Sequence, residues 1–465
     1  MSYHQFLEEK SRTVVASGFT VNPEDLNPHL FAYQRAIVHR ALSQGKFCIW
    51  ADCGLGKTLQ QLVWADEVSR YTNMPVLILA PLAVSSQTIR EGGKFGIKVN
   101  WCEDLNDVIN GINITNYEKL ERFDASVFSG VVLDESSILK AHDSKYRTYI
   151  INVFERTPYK LACSATPSPN DIIELGNHAQ FLGVMTREEM LAMYFTHDGG
   201  RTSNWRLKKH AADEFWKFVC GWAVMVRQPS DLGFSDDGFK LPELVIHDEA
   251  VSANVDPPDG MLFWINADSL NDQRHIRKES IQDRCNRALE IVKSKPNEQW
   301  LIWCDLNGES KLLKDLIGES FDCVEITGSD TDKHKIQSMI DFQDGKLQVL
   351  VTKPSIAGFG MNWQNCSKII FVGLSHSYEA YYQAVRRCWR FGQNHPVHVH
   401  IIYEEREGSV IANIKRKDKE SGEMAVAMVN LMKKESMRLL GQTSRIATNY
   451  KAGKRMVIPD WLISA

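Results

Sequence analysis

Short unbroken apolar runs recur along the chain, each followed by a segment whose apolar residues fall three or four apart. In the first half the unbroken runs are 47–50, 76–80, 131–133 and 161–163, with a further short strand-like stretch at 112–117; in the second 300–304 and 369–372 are unbroken, and 347–352 and 397–403 are strand-like stretches with polar residues interspersed. An unbroken run marks a strand covered on both faces, and the 3.6-residue spacing marks an amphipathic helix. Alternation of the two predicts parallel sheets flanked by helices, and the two sets predict two such lobes in tandem. Between them, from about Met185 to Asp272, the strand pattern fades into polar, glycine-containing and aromatic sequence. There Ala211 to Val226 reads as a helix burying Phe215, Trp216, Val219 and Trp222. A last helix through Met424, Met428, Leu431 and Leu439 reads as a brace on the second lobe, ahead of a basic tail with Lys451, Lys454 and Arg455. The expected divisions are an N-terminal extension (1–29), a first lobe (30–184), a mainly helical insertion and linker (185–272), a second lobe (273–420) and the C-terminal helix with its tail (421–465).

The first apolar run opens onto Ala51-Asp52-Cys53-Gly54-Leu55-Gly56-Lys57-Thr58. A strand, a glycine-interrupted turn and a helix starting at Lys-Thr form the pattern of a phosphate-binding loop. Gly54 and Gly56 let the backbone close with its N–H groups inward, so Cys53 to Thr58 would surround a polyphosphate at a helix N-terminus. Lys57 would sit on the outer phosphates and the Thr58 hydroxyl on magnesium. Upstream, Tyr33-Gln34 enters a helix, and a glutamine amide both donates and accepts, as an adenine edge requires. The run at 131–133 leads directly into Asp134-Glu135, two carboxylates whose burial is costly unless a cation or a reaction uses them. Asp134 suits a metal ion, and Glu135 suits orienting and deprotonating an attacking water. Far downstream, Arg387 and Arg390 are three apart on a helical pattern, which displays two guanidiniums on one side. Such a pair fits a phosphate developing charge, a surface ion-pair helix or a DNA backbone.

Net charge is −4, so no global basic field announces nucleic acid and any such contact must be local. One local positive cluster is Arg201, Arg206, Lys208 and Lys209, either a solvated loop or a phosphate contact. Ser85 and Gln87, after the run at 76–80, suit a phosphate backbone or a helix cap. The ten cysteines form no Cys-x-x-Cys pair and read as reduced thiols. The opening MSYHQFLEEK lacks the apolar core of a signal peptide, and no run approaches the ~18 apolar residues of a membrane span. The expectation is a cytoplasmic protein, bacterial or in a virus-infected host, with no membrane partner.

In order, YQ, ADCGLGKT, LAPL, TNYE, DESS and SATP resemble the first lobe of a superfamily 2 helicase. The SATP run with NDIIEL after it, and QAVRRCWRFGQ in the second half, are similar to the Swi/Snf-type double-stranded DNA translocases. That resemblance implies two RecA-like lobes that hydrolyse ATP with Mg2+ in the cleft between them, Arg387 and Arg390 completing the site. It places Gly360 and Asn362 beside the nucleotide, and Pro81, Ser85, Gln87, Thr115, Asn116, Thr352 and Gly358 near the nucleic acid. Double-stranded DNA is the implied partner, with single-stranded DNA or RNA as the alternative, and further proteins in a larger assembly. A strand-separating helicase and an ATP-gated clamp with little turnover stay open as rival readings. Ser137 and Trp389 stand where relatives carry histidine, and Arg386 stands where they carry an acidic residue.

Overall fold

The structure, a computed structural model, describes residues 14–139, 145–168, 171–197, 205–252, 270–357, 361–375 and 377–441. The strands are β1 (Lys46–Ala51), β2 (Val76–Ala80), β3 (Val99–Trp101), β4 (Ile112–Asn116), β5 (Gly130–Asp134), β6 (Tyr159–Ser164), β7 (Phe195–His197), β8 (Trp205–Leu207) and β9 (Ala223–Val226). They continue with β10 (Leu244–Val251), β11 (Trp300–Cys304), β12 (Cys323–Glu325), β13 (Val349–Thr352), β14 (Lys368–Val372) and β15 (Val397–Glu404). One sheet has the order β3-β4-β2-β5-β6-β1-β9 and the other β10-β15-β14-β11-β13-β12, and all pairings within both are parallel. The α/β architecture with two parallel-sheet lobes and a long C-terminal helix is the one expected. β1, β2, β5 and β6 are buried along nearly their whole length, as apolar runs covered on both faces must be.

Two readings change. The stretch taken as a mainly helical insertion also supplies an edge strand to each sheet. The helix read through Val226 stops at Trp222, and Ala223–Val226 becomes β9, with Cys48 opposite Ala223 and Ala51 opposite Val226. Four apolar residues at the end of an amphipathic helix fit either period; the free edge of β1 decides. β10 is half-exposed and pairs with β15 over its whole length.

The C-terminal helix (Gly408–Leu439) begins earlier than expected and ends at Leu439, the last residue read as helical. Its first turns place Ile411 and Ile414 in the core of the second lobe, while Met428, Val429 and Met432 complete the core of the first. It therefore spans both lobes instead of resting on one. The basic residues of the tail and Arg201 lie outside the described residues.

Candidate active site

Strand order assembles the first half of the site. β6 lies between β5 and β1, with Asp134 opposite Cys163 and Trp50 opposite Ser164. The loop after β1, the acidic pair ending β5 and Ser164 ending β6 thus share one sheet edge, where α/β folds bind ligands. In the loop Gly54 and Gly56 take φ +91° and +70°, and the helix Lys57–Thr72 starts with no side-chain cap on its N–H groups. The Leu55 carbonyl accepts from the Tyr33 hydroxyl (2.8 Å), Gln34 Nε2 (2.9 Å) and Gln60 Nε2 (3.0 Å). Because a trans peptide is planar, pinning that oxygen aims the Gly56 N–H the opposite way. Lys57 Nζ donates to the carbonyls of Ala51 (2.8 Å) and Asp52 (3.4 Å), which folds it back over the loop.

Asp134 is buried, and burial raises its carboxyl to about 6 against the opposing Gln61 hydrogen bond, whose Nε2 donates to Oδ1 at 2.8 Å. Glu135 holds φ +58°, a left-handed backbone costly for a residue with a side chain and frequent at functional positions. Its Oε1 accepts from the Ser164 hydroxyl at 2.9 Å.

The second half comes from the other lobe. The helix Tyr378–Val385 ends before the arginines, so the pair stands in the turn after it and not on its face. They still converge: Arg387 and Arg390 line a cavity of about 220 Å³ together with Lys57, Thr58, Asp134 and Glu135. Arg387 Nη1 donates to the Met361 carbonyl at 3.2 Å, and its Nε is buried without a partner. Burial lowers both guanidiniums, Arg390 to about 10 with repulsion from Arg387 adding to it. Two crowded, desolvated cations form a site already arranged for an anion.

Arg386 joins the lobes. Its Nη2 lies 2.8 Å from Asp52 Oδ1 and 2.9 Å from the Cys53 carbonyl, and its guanidinium lies over the Trp389 ring at 4.9 Å. The Tyr382 hydroxyl donates to the same Asp52 oxygen at 2.6 Å. Burial alone would push the Asp52 carboxyl up, but Arg386, Tyr382 and the Cys53 N–H outweigh it and hold it below the usual range.

Asn362 lines the same cavity and donates from Nδ2 to Glu91 across the lobes at 3.1 Å; Gly358 and Gly360 lie outside the described residues. Gln34 is 3 % exposed with both amide atoms used inside the chain, since its Oε1 accepts from the Phe31 N–H at 2.9 Å. Of the residues expected near nucleic acid, Gln87 lines the same cavity as Lys57 and Arg387. Pro81 borders a neighbouring interlobe cavity of about 540 Å³ with Ser137 and Glu379. Ser85, Thr115, Asn116 and Thr352 are buried, Thr352 donating to the Ile326 carbonyl. Gln61, Asp52 and Tyr382 were given no role by sequence reasoning, and Ser164 appeared there only within the SATP motif. Gln61 carried a signal, since it follows Lys57 by four and so shares its helix face.

The residues fit a nucleoside triphosphate with magnesium. A Cβ at Gly54 would fall 2.7 Å from the Phe391 nitrogen and one at Gly56 2.3 Å from Gln34 Nε2, so only glycine permits this cradle. Among the described residues no three His, Cys, Asp or Glu side chains could hold a metal alone. Asp134 and Thr58 with phosphate oxygens would suit Mg2+, which takes few protein ligands.

Residues 283–392 match the family model of the helicase conserved C-terminal domain. A phage protein, "putative protein p41" of Acyrthosiphon pisum secondary endosymbiont phage 1, is 21 % identical over 450 residues, covering 80 % of this chain and 92 % of that protein. Among solved structures, the Sulfolobus solfataricus SWI2/SNF2 ATPase core in complex with dsDNA is similar at a TM-score of 0.42 and 18 % identity, covering 91 % of this chain and 99 % of that one. The second lobe is thus similar to the helicase conserved C-terminal domain over residues 283–392.

Proposed function

We propose that the chain is a motor that hydrolyses ATP between its lobes and steps along double-stranded DNA. The observation that carries this is the shared cavity, in which Lys57, Thr58, Asp134 and Glu135 face Arg387 and Arg390. When bound, Mg2+ neutralises charge on the phosphate oxygens. Thr58 and Asp134 hold the metal, and the loop N–H groups with Lys57 hold the phosphates. Glu135, oriented by Ser164, accepts the proton of the attacking water. Arg387 and Arg390 stabilise the charge that develops in the transition state, and they do so only while the lobes are closed. Closing and reopening then move one lobe relative to the other along the duplex. Side-by-side ATPase assays with duplex DNA, single-stranded DNA and RNA test the reading, with greatest stimulation expected from duplex. Displacement of a triplex strand without duplex unwinding separates translocation from strand separation. Turnover unaffected by any nucleic acid would refute it.

A further inference from the structure

Resting on the reading of the interlobe cavity as a nucleoside triphosphate site with Mg2+, a further role falls to a residue behind its lining. We propose that Gln61 is a positioning residue for the metal: its amide holds the Asp134 carboxylate in register with the Thr58 hydroxyl, so that the two meet one cation. Gln61 lies early in the helix Lys57–Thr72, three residues after Thr58, and residues three apart stand on one side of a helix. It is fully buried, and its Nε2 donates to Asp134 Oδ1 at 2.8 Å, at the end of β5. An amide oxygen facing a carboxylate would be repelled, so the nitrogen is the atom turned towards Asp134. One side chain therefore ties the element that carries Thr58 to the element that carries Asp134.

The adjacent glutamine does a different job. Gln60 Nε2 braces the loop by donating to the Leu55 carbonyl at 3.0 Å, whereas Gln61 reaches the acidic end of the strand. The Gln61 Oε1 is buried without a hydrogen-bond partner. Such an atom costs stability that an apolar side chain of the same size would not, and what the amide supplies in return is a donor at Asp134. That donor is neutral. A lysine or arginine in its place would offset the charge of the carboxylate, while an amide fixes one oxygen and leaves the charge for a cation. Mg2+ demands near-ideal octahedral geometry with oxygens at about 2.0–2.1 Å, so a swing of Asp134 away from Thr58 is felt directly. Carboxylates that ligate metals are themselves held by hydrogen bonds, and loss of such a partner typically costs about 10- to 100-fold in metal affinity.

Titration of the full chain with Mn2+ in the presence of the β,γ-methylene analogue of ATP, with unbound Mn2+ read by electron paramagnetic resonance, measures metal affinity without turnover. Gln61→Met keeps the volume and removes the donor; it should weaken Mn2+ binding by about 10- to 100-fold, while the analogue titrated by calorimetry in EDTA binds as it does to the wild type. Equal Mn2+ affinity in the variant and the wild type overturns the proposal. So does an equal loss of metal-free nucleotide binding, which would mark Gln61 as purely structural. In an Asp134→Ala background Gln61→Met should cost no further metal affinity, because the amide then has nothing to hold; a full additional loss overturns the proposal. Should Gln61→Met fail to fold, Gln61→Asn, whose amide is one methylene short of Asp134, takes its place with the same outcomes. A wild-type chain that binds the analogue neither with nor without Mn2+ brings down the motor reading as well, whereas metal binding indifferent to Gln61 leaves the motor and removes only the present inference.

Discussion

The Arg386–Asp52 contact makes a quantitative prediction about lobe closure. The pair joins residues from opposite lobes at 2.8 Å, with Arg386 4 % and Asp52 16 % exposed at the side chain. At an effective dielectric near 20, opposite charges at such range attract by about 4 kcal/mol. Opening the cleft returns both groups to water, so the net preference for closure is smaller, about 2 kcal/mol by analogy with close interfacial pairs. That corresponds to roughly a thirtyfold change in the open-to-closed ratio. Arg386→Gln, without nucleotide, should therefore enlarge the radius of gyration in small-angle X-ray scattering and speed hydrogen exchange at Cys53 to Gly56. Asp52→Asn should do the same, and the double variant should add little, since each substitution removes the same contact. If Arg386→Gln leaves both scattering and exchange unchanged, the contact does not govern closure and the reasoning fails.

Other expectations follow from the same geometry. Glu135→Gln should reduce the rate constant of ATP hydrolysis by about 10²–10⁴ while ATP binding by calorimetry persists, as loss of a general base requires. Gly56→Ala should lose nucleotide binding, because φ +70° and a Cβ 2.3 Å from Gln34 Nε2 force the loop apart; titration with ATP measures it. Lys160, buried in β6 and donating to the Phe181 carbonyl at 2.9 Å, has its ammonium pulled from 10.5 down to about 8 by burial. Between those values the unfolded chain holds more protons than the folded one, so stability rises with pH from about 8 to 10.5. The burial penalty, on the order of 3 kcal/mol, is complete below pH 8. Urea titrations across that window should show the rise, and Lys160→Met should flatten it.

Sequence reasoning reached the sheets and the motifs that meet at the interlobe cavity because both are written in contiguous residues. Buried parallel strands are unbroken apolar runs, and the loop from Ala51 to Thr58 carries its glycines and its lysine together. What stayed hidden depends on partners distant in the chain. β9 is a strand only because β1 offers it an edge, and β10 exists as the neighbour of β15. Arg386 was visible as an added positive charge, but its meaning comes from Asp52, over three hundred residues away in the sequence. Gln34 was read by the versatility of its amide, and the Leu55 carbonyl and Phe31 N–H that occupy it could not be seen.

The C-terminal helix sets an order of events during synthesis. Met428, Val429 and Met432 cover apolar surface formed by Trp216, Cys220 and Trp222, residues made more than two hundred positions earlier. On the ribosome, the first lobe must wait with that patch bare until nearly the whole polypeptide has emerged. A chain cut before Met428 would carry every residue that lines the interlobe cavity and yet display a sticky face, making it a client for chaperones.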